Sequence, residues 1–134
     1  QKKLLKYLKR VKMKLALVGA SGVVGRKILQ ILEKKKITFE EFYPLGSTTV
    51  GEIITFHGIE YTIQDPSSFD ASSTDVAILA AGSTAAKTYA HQYVNAGNYV
   101  IDLSSEYRYE DDVPLVIPEI NAVFVYHNLH IINQ

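Results

Sequence analysis

Cysteine is absent from the 134-residue chain. That excludes a disulfide framework, a thiolate-ligated metal and a catalytic thiol within these residues. Long apolar runs are absent too. The longest, residues 76–81 (VAILAA), is far too short to cross a bilayer as a helix. No internal repeat or low-complexity tract occurs. The net charge is zero, so no global excess of positive charge argues for a nucleic-acid partner. The four histidines, His57, His91, His127 and His130, show no metal-ligand spacing with carboxylates and read as surface or loop residues.

What is present is the mix of an ordinary globular domain, 47% hydrophobic and 21% charged, which argues against wholesale disorder. The length fits one domain with a real core. The zero net charge hides an asymmetry. Seven of the fourteen basic residues fall in the first fourteen positions (Lys2, Lys3, Lys6, Lys9, Arg10, Lys12, Lys14), and no acid does. The rest of the chain carries seven basic and fourteen acidic residues, a net charge of −7.

The basic head is amphipathic if helical: Leu4, Leu5, Leu8 and Val11 share one face. It reads as a membrane-surface helix, as an organelle presequence short of Arg and Ser, or as an extension ahead of the true start. Residue 1 is Gln, and Met13 directly precedes the first strand-like run. The last reading is favoured, giving an extension over residues 1–12 and a domain over residues 13–134.

Strand and helix signals alternate from Lys14 onward. Residues 14–19 (KLALVG) form a short apolar run ending in Gly, as in a buried parallel strand. Residues 23–36 follow as a helix with Val24, Ile28, Ile31 and Leu32 on one face. Residues 42–47 make a second strand. Residues 51–63 hold two β-rich runs around His57-Gly58, a hairpin. Residues 75–81 (DVAILAA) are a buried strand. Ser83 is a candidate cap for a helix over 84–96 that stops at Gly97-Asn98. Residues 99–103 (YVIDL) are a further buried strand, residues 104–114 a loop, residues 115–117 a short strand, and residues 129–132 a last one. This order predicts a doubly wound, mostly parallel α/β sheet of the Rossmann type.

The main motif is Gly19-Ala20-Ser21-Gly22-Val23-Val24-Gly25, which leaves a strand and opens a helix. Each glycine has its own physical role. Gly19 permits the tight turn, Gly22 lets a pyrophosphate approach backbone, and Gly25 allows close helix packing. Amides and dipole at the helix start favour phosphate. A turn without a ligand is the plain structural alternative.

An NAD site wants an acid about 20 residues further on, to hold the ribose 2′-hydroxyl. That place reads Leu45-Gly46-Ser47-Thr48-Thr49: hydroxyls, no carboxylate, and no Arg. NADP is favoured over NAD, against the alternative of a hydroxyl-rich turn. Gly82-Ser83-Thr84 forms a second strand-to-helix junction, and Arg108 follows the next strand at the same edge. An Arg there suits a phosphate or carboxylate, although a lone surface Arg is more often only solvated.

Together these pieces resemble the N-terminal coenzyme domain of the aspartate-semialdehyde dehydrogenase family. The resemblance rests on residues 19–25 (GASGVVG), 75–82 (DVAILAAG) and 99–121 (YVIDLSSEYRYEDDVPLVIPEIN), and it covers about residues 13–132. It implies reductive dephosphorylation of aspartyl phosphate to the semialdehyde with NADPH, through a cysteine thioester. It implies cofactor contacts at Gly19, Ala20, Ser21, Gly22, Val23, Val24, Ser47, Thr48 and Gly82, and substrate or phosphate contacts at Arg108 and Asn121. It also implies a cytoplasmic enzyme that forms homodimers or homotetramers, with no nucleic-acid or membrane partner.

Three departures qualify that picture. Leu103 stands where the family carries Asn, a feature shared with N-acetyl-glutamyl-phosphate reductase. No Arg occupies position 48 or 49. The tract that leads to the nucleophilic cysteine begins at Ile131-Ile132-Asn133 and stops. The chain by itself is therefore expected to bind dinucleotide and to lack turnover. A non-catalytic nucleotide-binding module is the reading from outside enzymology.

Overall fold

The computed structural model describes residues 9–103 and 131–133. Within them a five-stranded parallel sheet has the order β2-β1-β5-β6-β7, with β1 Lys9–Val18, β2 Ile37–Leu45, β5 Val76–Leu79, β6 Tyr99–Asp102 and β7 Ile131–Asn133. Helix α1 (Val23–Lys34) follows β1 and helix α2 (Ser83–Asn95) follows β5. A separate hairpin, β3 Ile53–Phe56 and β4 Ile59–Thr62, lies between β2 and β5 in the chain. The predicted doubly wound sheet is the observed one.

The strand period of two sorts the core into halves. Leu15 and Leu17 face one side, where Leu29 and Leu32 of α1 and Phe56 of the hairpin cover them. Ala16 and Val18 face the other, against Ala86, Ala90 and Tyr93 of α2. The small residues on that second face let α2 come close, and Tyr93 fills the remaining space.

The strand β1 starts at Lys9, five residues ahead of the strand start expected at Lys14. Lys9–Val11 pair in parallel with Ile37–Phe39, and a register shift follows before Lys14. Val11, assigned from the sequence to a helical face, is a strand residue packed against the first core. Residues 1–8 lie outside the described residues. The same pairing explains why β2 begins at Ile37 rather than at residue 42: Ile37 and Phe39 are buried and pair with the extended start of β1. β2 is the edge of the sheet, which accommodates Pro44.

The hairpin is where it was expected. His57 (φ 51°) and Gly58 (φ 77°) both take the left-handed conformation that a tight two-residue turn needs. The His57 amide donates to Glu33 Oε2 at 2.9 Å, tying the turn to the end of α1. Ser83 does not cap α2. Gly82 is the cap, at φ 92°, and Ser83 is the first helical residue. The predicted loop and short strand over 104–117, together with Arg108 and Asn121, lie outside the described residues.

Candidate functional site

Because the strands are parallel, the ends of β1, β2, β5 and β6 all reach one edge of the sheet. The chain leaves β1 for β2 on one side and later returns to β5 on the other. The crevice at such a switch point is where open α/β sheets bind ligands. Two loops meet there, residues 19–22 after β1 and residues 80–82 after β5.

Gly19 adopts φ 87°, and a Cβ on it would lie 2.8 Å from the backbone of Ala80 and Ala81. Only glycine meets both demands. A Cβ on Gly25 would run into the carbonyl oxygen of Gly19 and the backbone of Ala20, so this position lets α1 close onto its own entry loop. Gly22 differs. Its φ is −75°, and a Cβ there would meet only the Gly19 oxygen, at an ordinary 3.5 Å. Neither backbone strain nor packing in the protein itself demands glycine at position 22.

The amides of the turn divide by use. Those of Gly19 and Ala20 both donate to the Leu45 carbonyl, at 2.8 and 3.2 Å, and that of Gly22 donates to the Gly19 carbonyl at 3.1 Å. They hold the turn in shape. The amides of Val23 and Val24, first in the helix, have no intrahelical acceptor and no hydrogen bond among the described residues. These two, together with the amides of Ser21 and Gly25, which likewise have no hydrogen bond among the described residues, are the donors left to face an anion, rather than the amides of Gly19, Ala20 and Gly22. No acidic residue sits in the first turn to compete for them. The Val23 side chain is 88% exposed and Val24 47%, an apolar margin beside the open amides.

At the end of β2, Ser47 and Thr48 are exposed in the bend, and no carboxylate lies among residues 45–50. Thr49 is engaged elsewhere, since its Oγ1 lies 2.8 Å from Ser21 Oγ and the two loops are thereby joined. Gly46 lies beneath that contact, with space for no side chain, because a Cβ would come 2.7 Å from Thr49 Oγ1. Asp65, one residue past the bridge between Leu45 and Gln64, accepts hydrogen bonds from the amide and hydroxyl of Ser67 at 2.9 and 2.8 Å. Those bonds hold its carboxyl below the usual range.

Gly82, on the β5 side, is exposed, and nothing lies within 4 Å of where its Cβ would be. Asp102 ends β6 fully buried. The structure thus brings residues 19–24, Ser47, Thr48 and Gly82 to a single edge. Arg108 and Asn121 are outside the described residues.

One cation escaped the reading of the sequence. Arg26 donates from Nε to the Ser21 carbonyl at 2.8 Å, which lays its guanidinium over the glycine turn. The signal was available: helical side chains lean toward the N-terminus, so a long one in the first turns sweeps back over the loop ahead of the helix.

Among the described residues no group of three or more His, Cys, Asp or Glu is placed to hold a metal, and no helix is long and apolar enough to cross a membrane.

Residues 14–125 match the family profile described as semialdehyde dehydrogenase, NAD binding domain. The chain is 42% identical over 107 residues to the aspartate-semialdehyde dehydrogenase of Legionella pneumophila, covering 79% of this chain and 31% of that protein. It is 36% identical over 118 residues to that of a Shewanella species, covering 86% and 35%. Among solved structures, aspartate semialdehyde dehydrogenase II of Vibrio cholerae, complexed with ASA, superposes with a TM-score of 0.83 at 32% identity, covering 92% of this chain and 41% of that one. The chain spans about a third of the length of the curated relatives it matches.

Proposed function

The chain belongs to the semialdehyde dehydrogenase family, of which it carries the NAD-binding domain, and on that premise we propose that its switch-point crevice holds NADP(H). The supporting observation is Gly22. The protein's own packing does not require glycine there, and the position stands beside two helix-start amides without partners. A pyrophosphate explains both, since it needs a side-chain-free approach and donors.

In this reading the amides of Val23 and Val24 bind the pyrophosphate, while Gly19, Ala20 and Ser21 shape the turn that presents them. Ser47 and Thr48 adjoin the adenosine ribose, where the absence of a carboxylate leaves a 2′-phosphate unopposed. Gly82 lets the backbone of the β5 loop come close to the nicotinamide. When bound, the nicotinamide supplies or accepts a hydride. Arg108 and Asn121 are the proposed contacts for substrate or inorganic phosphate.

The reaction proposed for the whole protein is that of aspartate-semialdehyde dehydrogenase, reductive dephosphorylation of aspartyl phosphate, in a homo-oligomer. These 134 residues contain no cysteine, so the proposal assigns them cofactor binding without turnover.

Calorimetric titration with NADP and NAD separately tests the reading, paired with an assay of phosphate-dependent semialdehyde oxidation. Heat with NADP and no turnover is expected. The absence of heat with either cofactor removes the binding proposal, and turnover above background removes the assignment of an inactive half.

A further inference from the structure

A 2′-phosphate requires a cation, and the loop after β2 holds none: residues 45–51 (LGSTTVG) contain neither Lys nor Arg. We infer that Arg26, from helix α1, supplies that charge and is the residue by which this chain distinguishes NADP from NAD. The inference rests on the dinucleotide reading above.

The position of Arg26 is set by two linked hydrogen bonds. Its Nε donates to the Ser21 carbonyl at 2.8 Å, and the Ser21 hydroxyl meets Thr49 Oγ1 at 2.8 Å. The guanidinium is thus anchored on the residue of the glycine turn whose side chain bonds Thr49, next to Ser47 and Thr48. Anchoring through Nε leaves both terminal nitrogens, with four of the five N–H donors, for an anion. Their planar fork matches a phosphate monoester, which Ser and Thr hydroxyls then complement. No carboxylate among the described residues is within ion-pair distance of Arg26. A cation in the opening turns of a helix opposes the macrodipole, and the first turn of α1 carries no acid to offset it. An anion bound by the guanidinium offsets that penalty.

A purely structural role, as a strut across the turn, would affect both cofactors alike. The chain and its Arg26→Gln and Arg26→Lys variants are titrated calorimetrically with NADP and with NAD, and thermal melting reports whether each variant is folded. Arg26→Gln is expected to weaken NADP by about 10- to 100-fold, the range for one charge-assisted contact, and NAD by less than about threefold. Arg26→Lys, which keeps the charge and loses the fork, is expected between the two. Equal weakening of both cofactors, or an unchanged NADP affinity in Arg26→Gln, overturns the inference while leaving dinucleotide binding intact. If the unmodified chain binds neither cofactor, the underlying reading has failed and this inference falls with it.

Discussion

The hydroxyls of Ser21 and Thr49 lie 2.8 Å apart across a sequence separation of 28 residues, and that contact couples the glycine turn after β1 to the loop after β2. Thr49→Val keeps the shape and removes the hydroxyl. A part-buried neutral hydrogen bond of this kind contributes about 1 kcal/mol. We predict a loss of that order in stability and a weaker affinity for NADP. A double-mutant cycle with Ser21→Ala measured by chemical denaturation checks it: a coupling near zero would show that the two hydroxyls do not act as a pair.

The two later glycines of the motif are predicted to fail in opposite ways. Gly25→Ala forces a methyl against the Gly19 carbonyl and should destabilise the fold by about 1–3 kcal/mol, the usual range for overpacking. Gly22→Ala adds a methyl in ordinary contact at φ −75°, and should leave stability within about 1 kcal/mol while abolishing dinucleotide binding. Melting curves and titrations on both variants separate the effects. A Gly22→Ala protein that binds cofactor normally would show that phosphate approach does not require glycine at this position.

Asn98 follows the turn after α2 and is fully buried. Its Nδ2 donates to the Ala71 carbonyl at 2.8 Å, and its Oδ1 accepts from Thr74 Oγ1 at 2.9 Å. Asn98→Ala removes both of these bonds and leaves the Thr74 hydroxyl only its longer contact with the Ala71 carbonyl at 3.4 Å, so a loss of about 1–3 kcal/mol is expected. Thr74→Val, which removes the hydroxyl's 2.9 Å bond to Asn98 and its longer 3.4 Å contact with the Ala71 carbonyl but keeps the Asn98–Ala71 bond, should cost less. Urea denaturation ranks the two.

Burial, with a smaller contribution from the charge of Tyr89, pushes the Tyr93 phenol well above its usual range. The sign follows from linkage. In the folded protein the phenol keeps its proton to higher pH than in the unfolded chain, so the folded state binds more protons above about pH 10. The stability associated with Tyr93 is therefore intact below about pH 10 and lost as pH rises further. Tyr93→Phe removes the titration. Because no partner is found for the buried Tyr93 hydroxyl among the described residues, the substitution should cost little near neutral pH and flatten the fall in melting temperature in the alkaline range. An unchanged alkaline profile would place the sensitive group elsewhere.

Much of this architecture was legible because hydrophobic periodicity and glycine placement are local signals. The apolar runs at 14–19, 75–81 and 99–103 carry their own evidence of burial, and His57-Gly58 announces its turn. The early starts of β1 and β2 were not legible. Lys9–Val11 become strand because Ile37–Phe39 are there to pair with them, and pairing between distant segments leaves no trace in the composition of either.

The amino-acid sequence by itself determined the alternation of strands and helices, the glycine turn at the first crossover, and the lack of a thiol, because each depends on residues adjacent in the chain. Only the tertiary structure decided which amides of the turn remain open, that Gly22 alone among the motif's glycines answers to no internal packing, and that Arg26 rests on Ser21 beside Thr49. Those are properties of surfaces made when the ends of β1, β2 and β5 come together, and a hydrogen bond depends on where atoms lie rather than on their order along the chain.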